Sequence, residues 1–372
     1  MEPQSGKFYL QKRYLVALLG FIAWGLLFLM RTNLSISIVD MTSNRTVTVG
    51  NETITQVAEF DWSSKEKGVI LSAFSWGFTT APLGAFLTRR FGGVSAFGMG
   101  VALTGLLTVL TPLFMKCHLY VYIAARVMEG VSEGIAVTSY IEAIRAWSTP
   151  KDRSRLMGVS MSGYAFGVML GYPVCGTIAY YMNWKGVFYI TGGISITLSL
   201  IWFALIRNSP GEDNLMSLQE KKYLQQMNTY ASRKNLVYPW KQIFKSKAVW
   251  AYWNERFVGA FSESFFTFSL PFYIKDIHDV NIQDIGFIAA MPHIFTVVAL
   301  LYGSFLADFL RNRGILSPSN VHKLYFGFGQ FLAVVLLTIV IAEFKWSSQE
   351  KGVILSAFSW GYMTAPLGAL AD

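Results

Sequence analysis

From Tyr14 to Met30 the chain carries no charged residue, and Arg31 then falls inside the same apolar run, which continues as TNLSISIVDM to Met41. A run of this length spans the roughly 30 Å hydrocarbon core of a bilayer. There each backbone N–H and C=O must be satisfied within the segment, so the run folds as a helix. A guanidinium at that depth costs about 3 kcal/mol on insertion scales unless it faces a partner or a water-filled cavity. Arg31 is therefore a functional candidate. The alternative, an arginine reaching for the far headgroups, fits poorly with the apolar residues after it.

Similar runs recur along the chain. Hydrophobic residues make up 53% of the 372 positions, charged residues 14%, and the mean hydropathy is +0.40. Soluble chains carry about 25% charged residues, so the composition is that of a polytopic membrane protein. The net charge of +9 is set by topology rather than by nucleic acid. Its basic residues cluster in alternate loops, at Lys7/Lys12/Arg13, Arg89/Arg90, Arg145 to Arg155, 207–247, and Arg311/Arg313/Lys323. An excess of Lys and Arg marks cytoplasmic loops and places the N-terminus on that side. The first run lacks a small-residue cleavage site, so it reads as a signal anchor. Cys117 and Cys175 define neither a disulfide framework nor a metal site. No P-loop, metal-ligand cluster or activated nucleophile suggests an enzyme, and no cofactor is expected beyond a coupling ion, H+ or Na+.

Ten spans are expected, at about 14–41, 66–87, 94–115, 119–144, 156–181, 185–206, 248–274, 284–307, 322–342 and 350–371. The one long polar segment holds Ser217-LQEKKYLQQM, which predicts a charged surface helix on the cytoplasmic side. The organisation is then a six-helix bundle over 1–207, a linker over 208–247, a partial second bundle over 248–342, and a segment 343–372. This all-α arrangement resembles the two-halved facilitator architecture, which is built from three-helix repeats around a site near mid-membrane. In the first non-cytoplasmic loop, Asn44 and Asn51 both begin N-glycosylation sequons, which agrees with the orientation.

The segment Ala58-EFDWSSKEKGVILSAFSWGFTTAPLGAF recurs as Ala342-EFKWSSQEKGVILSAFSWGYMTAPLGAL, identical at 24 of 29 positions. Ancient transporter repeats survive only as weak similarity, so this near-identity suggests a recent duplication or rearrangement. On that reading a twelve-span fold lacks its last two helices, and a copy of the second span stands as the tenth.

The fourth expected span, Arg126-VM-Glu129-GVS-Glu133-GIAVTSYIEAI, places three charges on one face at about 100° per residue. Two carboxylates so close resist simultaneous ionisation while the arginine favours it. Such a stripe can hold and release a proton, or it can be a self-neutralising structural network. In the seventh span, Arg256 and Glu263 share a face, and Glu263 is expected near mid-membrane as a partner for Arg31 or Arg126.

Together, Arg31-TNLSISIVDM, the sequon-bearing loop after it, Arg126-VMEGVSEG, Asp152-RSRL and Ala307-DFLRNRGILSPSNVHKL resemble the solute carrier 17 family of organic-anion transporters, over roughly 10–342. The resemblance implies a twelve-helix major facilitator fold that moves small organic anions by alternating access, driven by protons, sodium or membrane potential. Arg31 and Arg126 match the family's anion-recognising arginines. Glu129 and Glu133 match the paired glutamates of sialin, to which the family reading gives proton coupling. Leu71 and Gly259 replace a His and an Arg of the glutamate carriers, and Ile141 replaces a His they share with sialin. The pattern therefore points away from glutamate, toward a sialic acid-like anion, phosphate or another carboxylate.

Weaker signals complete the reading. Gly163, Gly167 and Gly171 form a small-residue seam for close helix packing, with Tyr164 beside it as a candidate pathway residue. Asp308 and Arg311 resemble the charge latch of facilitator loops, while Thr88 stands where the second span's loop would carry the acid. His293 follows Pro292 and is either titratable or a packing residue. The expected partners are a small organic anion and the bilayer, not nucleic acid, in a plasma or a lysosomal or vesicular membrane. The rival reading is a rearranged carrier that does not transport and acts as a regulatory partner.

Overall fold

The computed structural model describes residues 11–42, 45–49, 52–56, 58–149, 152–213, 216–228, 240–247, 249–250, 270–271, 282–291, 293–294 and 313. Its helices are α1 (Lys12–Thr42), α2 (Ser64–Phe78), α3 (Gly84–Phe91), α4 (Gly93–Cys117), α5 (Leu119–Ala146), α6 (Arg153–Leu205), α7 (Leu218–Asn228), α8 (Trp240–Lys245) and α9 (Ile282–Met291). Met1–Ser232 with Leu270–Ile294 form one compact unit, and Arg233–Ser269 with Phe295–Asp372 a second. In the second, the described residues include α8, followed by Trp250, whose indole donates to the Phe244 carbonyl at 2.8 Å.

The first unit is a helical bundle. Lys12–Thr42, Lys65–Phe91, Gly93–Cys117 and Arg155–Leu205 are each long and apolar enough to cross a membrane. α6, at 53 residues, would extend about 80 Å if straight, far beyond one bilayer. Asn183 breaks it with a left-handed φ of 68°, and its side chain accepts from the Lys185 amide at 2.9 Å. With a ψ of 173° Asn183 lies in backbone space otherwise left to glycine, which no helix can continue through, so α6 serves as two passes, matching the fifth and sixth expected spans. α5 carries more charge than the others but packs among them with Arg126, Glu129 and Glu133 inward. Outward, Leu103, Leu106 and Leu113 of α4 and Leu200 of α6 are exposed, the apolar surface that lipid requires. The expected spans after the sixth lie largely outside the described residues.

One local departure from an all-helical reading is a hairpin, β1 (Arg45–Val49) against β2 (Glu52–Gln56), antiparallel with Arg45 opposite Gln56. Its alternating Thr, Val and Ile suit a pleated strand, and the intervening Gly50-Asn51 is a two-residue hairpin signal in the sequence. The sequon residues Asn44 and Asn51 themselves lie outside the described residues.

Glycines set the helix spacing. A Cβ at Gly163 would overlap the Phe21 carbonyl, one at Gly167 the Gly25 carbonyl, and one at Gly171 the Thr32 hydroxyl. The seam is thus the contact between α1 and α6. Gly77 and Gly130 do the same between α2 and α5, where added carbons would overlap the carbonyls of Val127 and Phe74. α9 closes on α6 through Gly286 and Gly176, and His293 stacks on Tyr172 with ring centroids 5.3 Å apart.

At the end of the bundle where α1 begins, the first amides of that helix lack helical partners. Glu220 of α7 accepts from Lys12 N at 3.0 Å and Arg13 N at 3.3 Å. Lys12 pairs with Asp213 at 2.5 Å and Arg13 with Asp152 at 2.7 Å. The linker helix expected from Ser217-LQEKKYLQQM thus caps the helix that carries Arg31. Thr88 is buried and bonds Ser139 at 2.8 Å, where facilitator loops would place an acid.

The opposite end is tied by the strand-to-helix connection. Glu59 accepts from the Trp184 indole at 2.8 Å and pairs with Lys185 at 3.0 Å, while Phe60 stacks on Trp62 at 4.7 Å. Burial pushes the Glu59 carboxyl up, but hydrogen bonds from Lys185 and Trp184 outweigh it and hold the group below its ordinary 4.5. A depressed carboxyl contributes stability that is present above its ordinary value and is lost as pH falls through the folded one. Glu59→Gln should therefore lower the Tm by a constant amount from neutrality down to about pH 5, the difference closing only in stronger acid. Thermal scans of the detergent-solubilised protein across that range would show it. A difference already gone at pH 5 contradicts the assignment.

Candidate functional site

The charges expected on one face of the fourth span all point into the bundle, in two tiers set by helix rise. Arg126 and Glu129, three residues apart on α5, form an ion pair with side-chain exposures of 3% and 2%. Glu129 also accepts from the Thr111 hydroxyl of α4 at 3.3 Å. About 6 Å further along α5 from Glu129, Glu133 meets Arg31 of α1. Arg31 Nε and Nη2 both lie 2.6 Å from Glu133 Oε1, with exposures of 18% for Arg31 and 1% for Glu133. The partner that makes Arg31 tolerable at depth is thus a carboxylate from another helix.

Aromatic rings line the remaining faces. The Arg31 guanidinium carbon lies 4.1 Å from the Phe28 ring centroid, 4.7 Å from Phe78 and 5.0 Å from Phe74. Arg126 lies 5.5 Å from Phe74. Such contacts favour a cation through the ring quadrupole. Phe74 and Phe78 recur at helical spacing on α2, a pattern visible in the sequence, but an apolar stripe there reads as packing until its partner helices are known. Tyr164 lies edge-on to Phe28 at 4.7 Å, beside the ring that faces Arg31.

Two guanidinium nitrogens of Arg126, Nε and Nη2, are buried without a hydrogen-bond partner among the described residues, as is the Tyr122 hydroxyl one turn before it. A buried donor left unpaired costs about 1–3 kcal/mol, so Arg126 is an arginine with capacity for an acceptor. Trp62 stacks over Tyr122 at 6.3 Å and roofs this tier on the side of the strands. Leu71 is partly buried against the cluster containing Tyr122 and Trp184, and Ile141 is exposed. Glu263, Arg256, Gly259, Asp308, Arg311 and the repeated segment 343–372 lie outside the described residues.

Helices long and apolar enough to cross a membrane thus enclose two pairs of oppositely charged side chains. The sequence pattern of the Major Facilitator Superfamily matches residues 15–319, and the chain belongs to that family. It is an integral membrane protein. It is 30% identical over 341 residues to vesicular glutamate transporter 3 of Danio rerio, covering 90% of this chain and 58% of that protein. It is 28% identical over 358 residues to vesicular glutamate transporter 1 of Xenopus laevis, covering 94% and 61%. The chain thus spans about three fifths of the length of the curated relatives it matches. Among solved structures, a D-xylose–proton symporter aligns with a TM-score of 0.58 at 16% identity, covering 96% of this chain and 79% of that one. A POT family transporter in complex with 5-aminolevulinic acid aligns at 0.61 and 14%, covering 99% and 83%. These likenesses are of fold, and the proteins matched are transporters rather than enzymes.

Proposed function

We propose that the chain is a secondary active transporter of small organic anions, coupled to protons or sodium and working by alternating access. The observation that carries this reading is the pairing of Arg31 with Glu133 and of Arg126 with Glu129 inside one bundle. Each arginine holds a carboxylate that a substrate carboxylate or phosphate can replace. In a low-dielectric site, net charge is what costs most. A proton passing to Glu133 removes one negative charge and frees Arg31, and an arriving anion restores the balance. Proton and anion together leave the site's charge unchanged, which favours their movement as a unit. Arg31 and Arg126 then recognise the anion, Glu129 or Glu133 takes the proton, and Tyr164 supports Arg31 through Phe28. Glu263 is proposed to join them from the seventh span, and Asp308 with Arg311 to latch the cytoplasmic side.

The relatives named above are glutamate transporters. Leu71, Ile141 and Gly259 argue that this chain prefers a sialic acid-like anion, phosphate or another carboxylate. Residence in a plasma membrane or in a lysosomal or vesicular one is compatible with this chemistry, and Asn44 and Asn51 are proposed as glycosylation sites.

The test is uptake of labelled N-acetylneuraminate, glutamate and inorganic phosphate by proteoliposomes under imposed pH and sodium gradients. Arg31→Ala should lower uptake at least about thirtyfold, as expected when one member of a buried charge pair is removed. Gradient-driven uptake unaffected by Arg31→Ala would overturn the site assignment. The near-identical repeat favours a second reading, a rearranged non-transporting partner. No uptake of any of the three anions, with a longer relative active in the same vesicles, would select it.

A further inference from the structure

Phe74 is the side chain on which the two tiers converge. It is 4% exposed, and its ring centroid lies 5.0 Å from the Arg31 guanidinium carbon and 5.5 Å from that of Arg126. Its backbone has no freedom to move away. The Phe74 carbonyl abuts Gly130 so closely that a Cβ there would overlap it, and Gly77 seats the next turn of α2 against Val127. The ring is held from its own helix by Phe78, stacked at 6.1 Å, which itself lies 4.7 Å from Arg31.

An apolar packing role accounts for the burial but not for the position. Two guanidinium groups within reach of one ring repel each other across a low-dielectric interior. Leucine of similar bulk would fill the space and offer neither cation anything. A phenyl ring presents its quadrupole to cations, and its rigidity keeps their separation constant when either arginine releases its glutamate. Preorganised charge is what lets a site bind without reorganising at that moment.

We propose that Phe74 is a positioning residue, whose ring spaces and aims Arg31 and Arg126 so that the anion meets both arginines already in place. This rests on the anion-transport reading above. Arg31 and Arg126 hold the anion, and Phe74 acts through them without taking part in proton transfer.

The experiment replaces Phe74 with mono-, di- and trifluorophenylalanine, which weaken the quadrupole stepwise while nearly preserving shape, and includes Phe74→Leu for comparison. Uptake of whichever of N-acetylneuraminate, glutamate or phosphate the unmodified chain accepts is measured in proteoliposomes. KM should rise with each fluorine, reaching about tenfold for the trifluoro variant and for Phe74→Leu, the range expected of a desolvated cation–π contact. The maximal rate should stay within about twofold, since the anion once bound meets the same groups. A KM unchanged across the fluorine series would overturn the proposal.

A second readout is independent of transport. Fluorination should lower the Tm of the unmodified chain by more than it lowers that of Arg126→Met, because the cation is absent in the latter. Equal decreases in the two backgrounds would also overturn the proposal. If the unmodified chain accepts none of the three anions, the transport reading falls and the Tm cycle decides Phe74 alone.

Discussion

Arg126→Met lowers the stability of the first bundle by about 3–5 kcal/mol, and adding Glu129→Gln returns most of that loss. The basis is the asymmetry of buried ion pairs: removing one member strands the other without compensation, whereas neutralising both is often tolerated. Glu129 is 2% exposed, and with Arg126 gone it keeps the hydrogen bond from the Thr111 hydroxyl at 3.3 Å. Methionine keeps the length and apolar contacts of the arginine stem while removing the charge. Thermal or denaturant unfolding in detergent micelles would report the two single variants and the double. A single Arg126→Met within about 0.5 kcal/mol of the parent would show that water or another cation reaches Glu129. An additive double would show that the two residues do not act as a pair.

Gly167→Leu should abolish recovery of folded, monodisperse protein. Even the first added carbon would overlap the Gly25 carbonyl, which belongs to the backbone of α1 and has no rotamer to yield. Overpacking in a well-packed core costs about 1–3 kcal/mol where side chains can shift, and a backbone clash belongs at or above the top of that range. Separating α1 from α6 also shifts the helix that carries Arg31, so the structural defect and loss of the site should appear together. Gly193 supplies the control, since nothing lies within 4 Å of a Cβ built there. Gly193→Ala should be neutral or stabilise by up to about 1 kcal/mol through helix propensity. Size-exclusion profiles and thermal scans of the two variants side by side make the comparison, and a well-behaved Gly167→Leu protein would remove the seam from the account of α1 and α6.

Much of the first bundle was legible in the residues because the bilayer leaves a chain few choices. Apolar runs with basic connections give helices and their direction, and the small-residue spacing at 163, 167 and 171 announces a close contact. The seam's partner was not legible. Periodicity describes one helix face at a time, and the pairing of Gly167 with Gly25 joins residues far apart in sequence. The hairpin at Arg45–Val49 and Glu52–Gln56 had a local signal in its alternating β-branched residues and Gly50-Asn51, which a search for spans passes over.

The site divides the same way. The sequence alone determined that Arg31 sits at membrane depth and needs a partner, and that Arg126, Glu129 and Glu133 share a face of one helix. Insertion cost and the helical repeat are local properties, readable residue by residue. Only the tertiary structure decided which charge answers which: Glu133 turns to Arg31, Glu129 to Arg126, and Phe74 stands between the arginines. Those choices depend on how α1, α2, α4 and α5 approach one another, and between α2 and α5 that approach is set by backbone contacts at Gly77 and Gly130 whose partners the linear order of residues does not name.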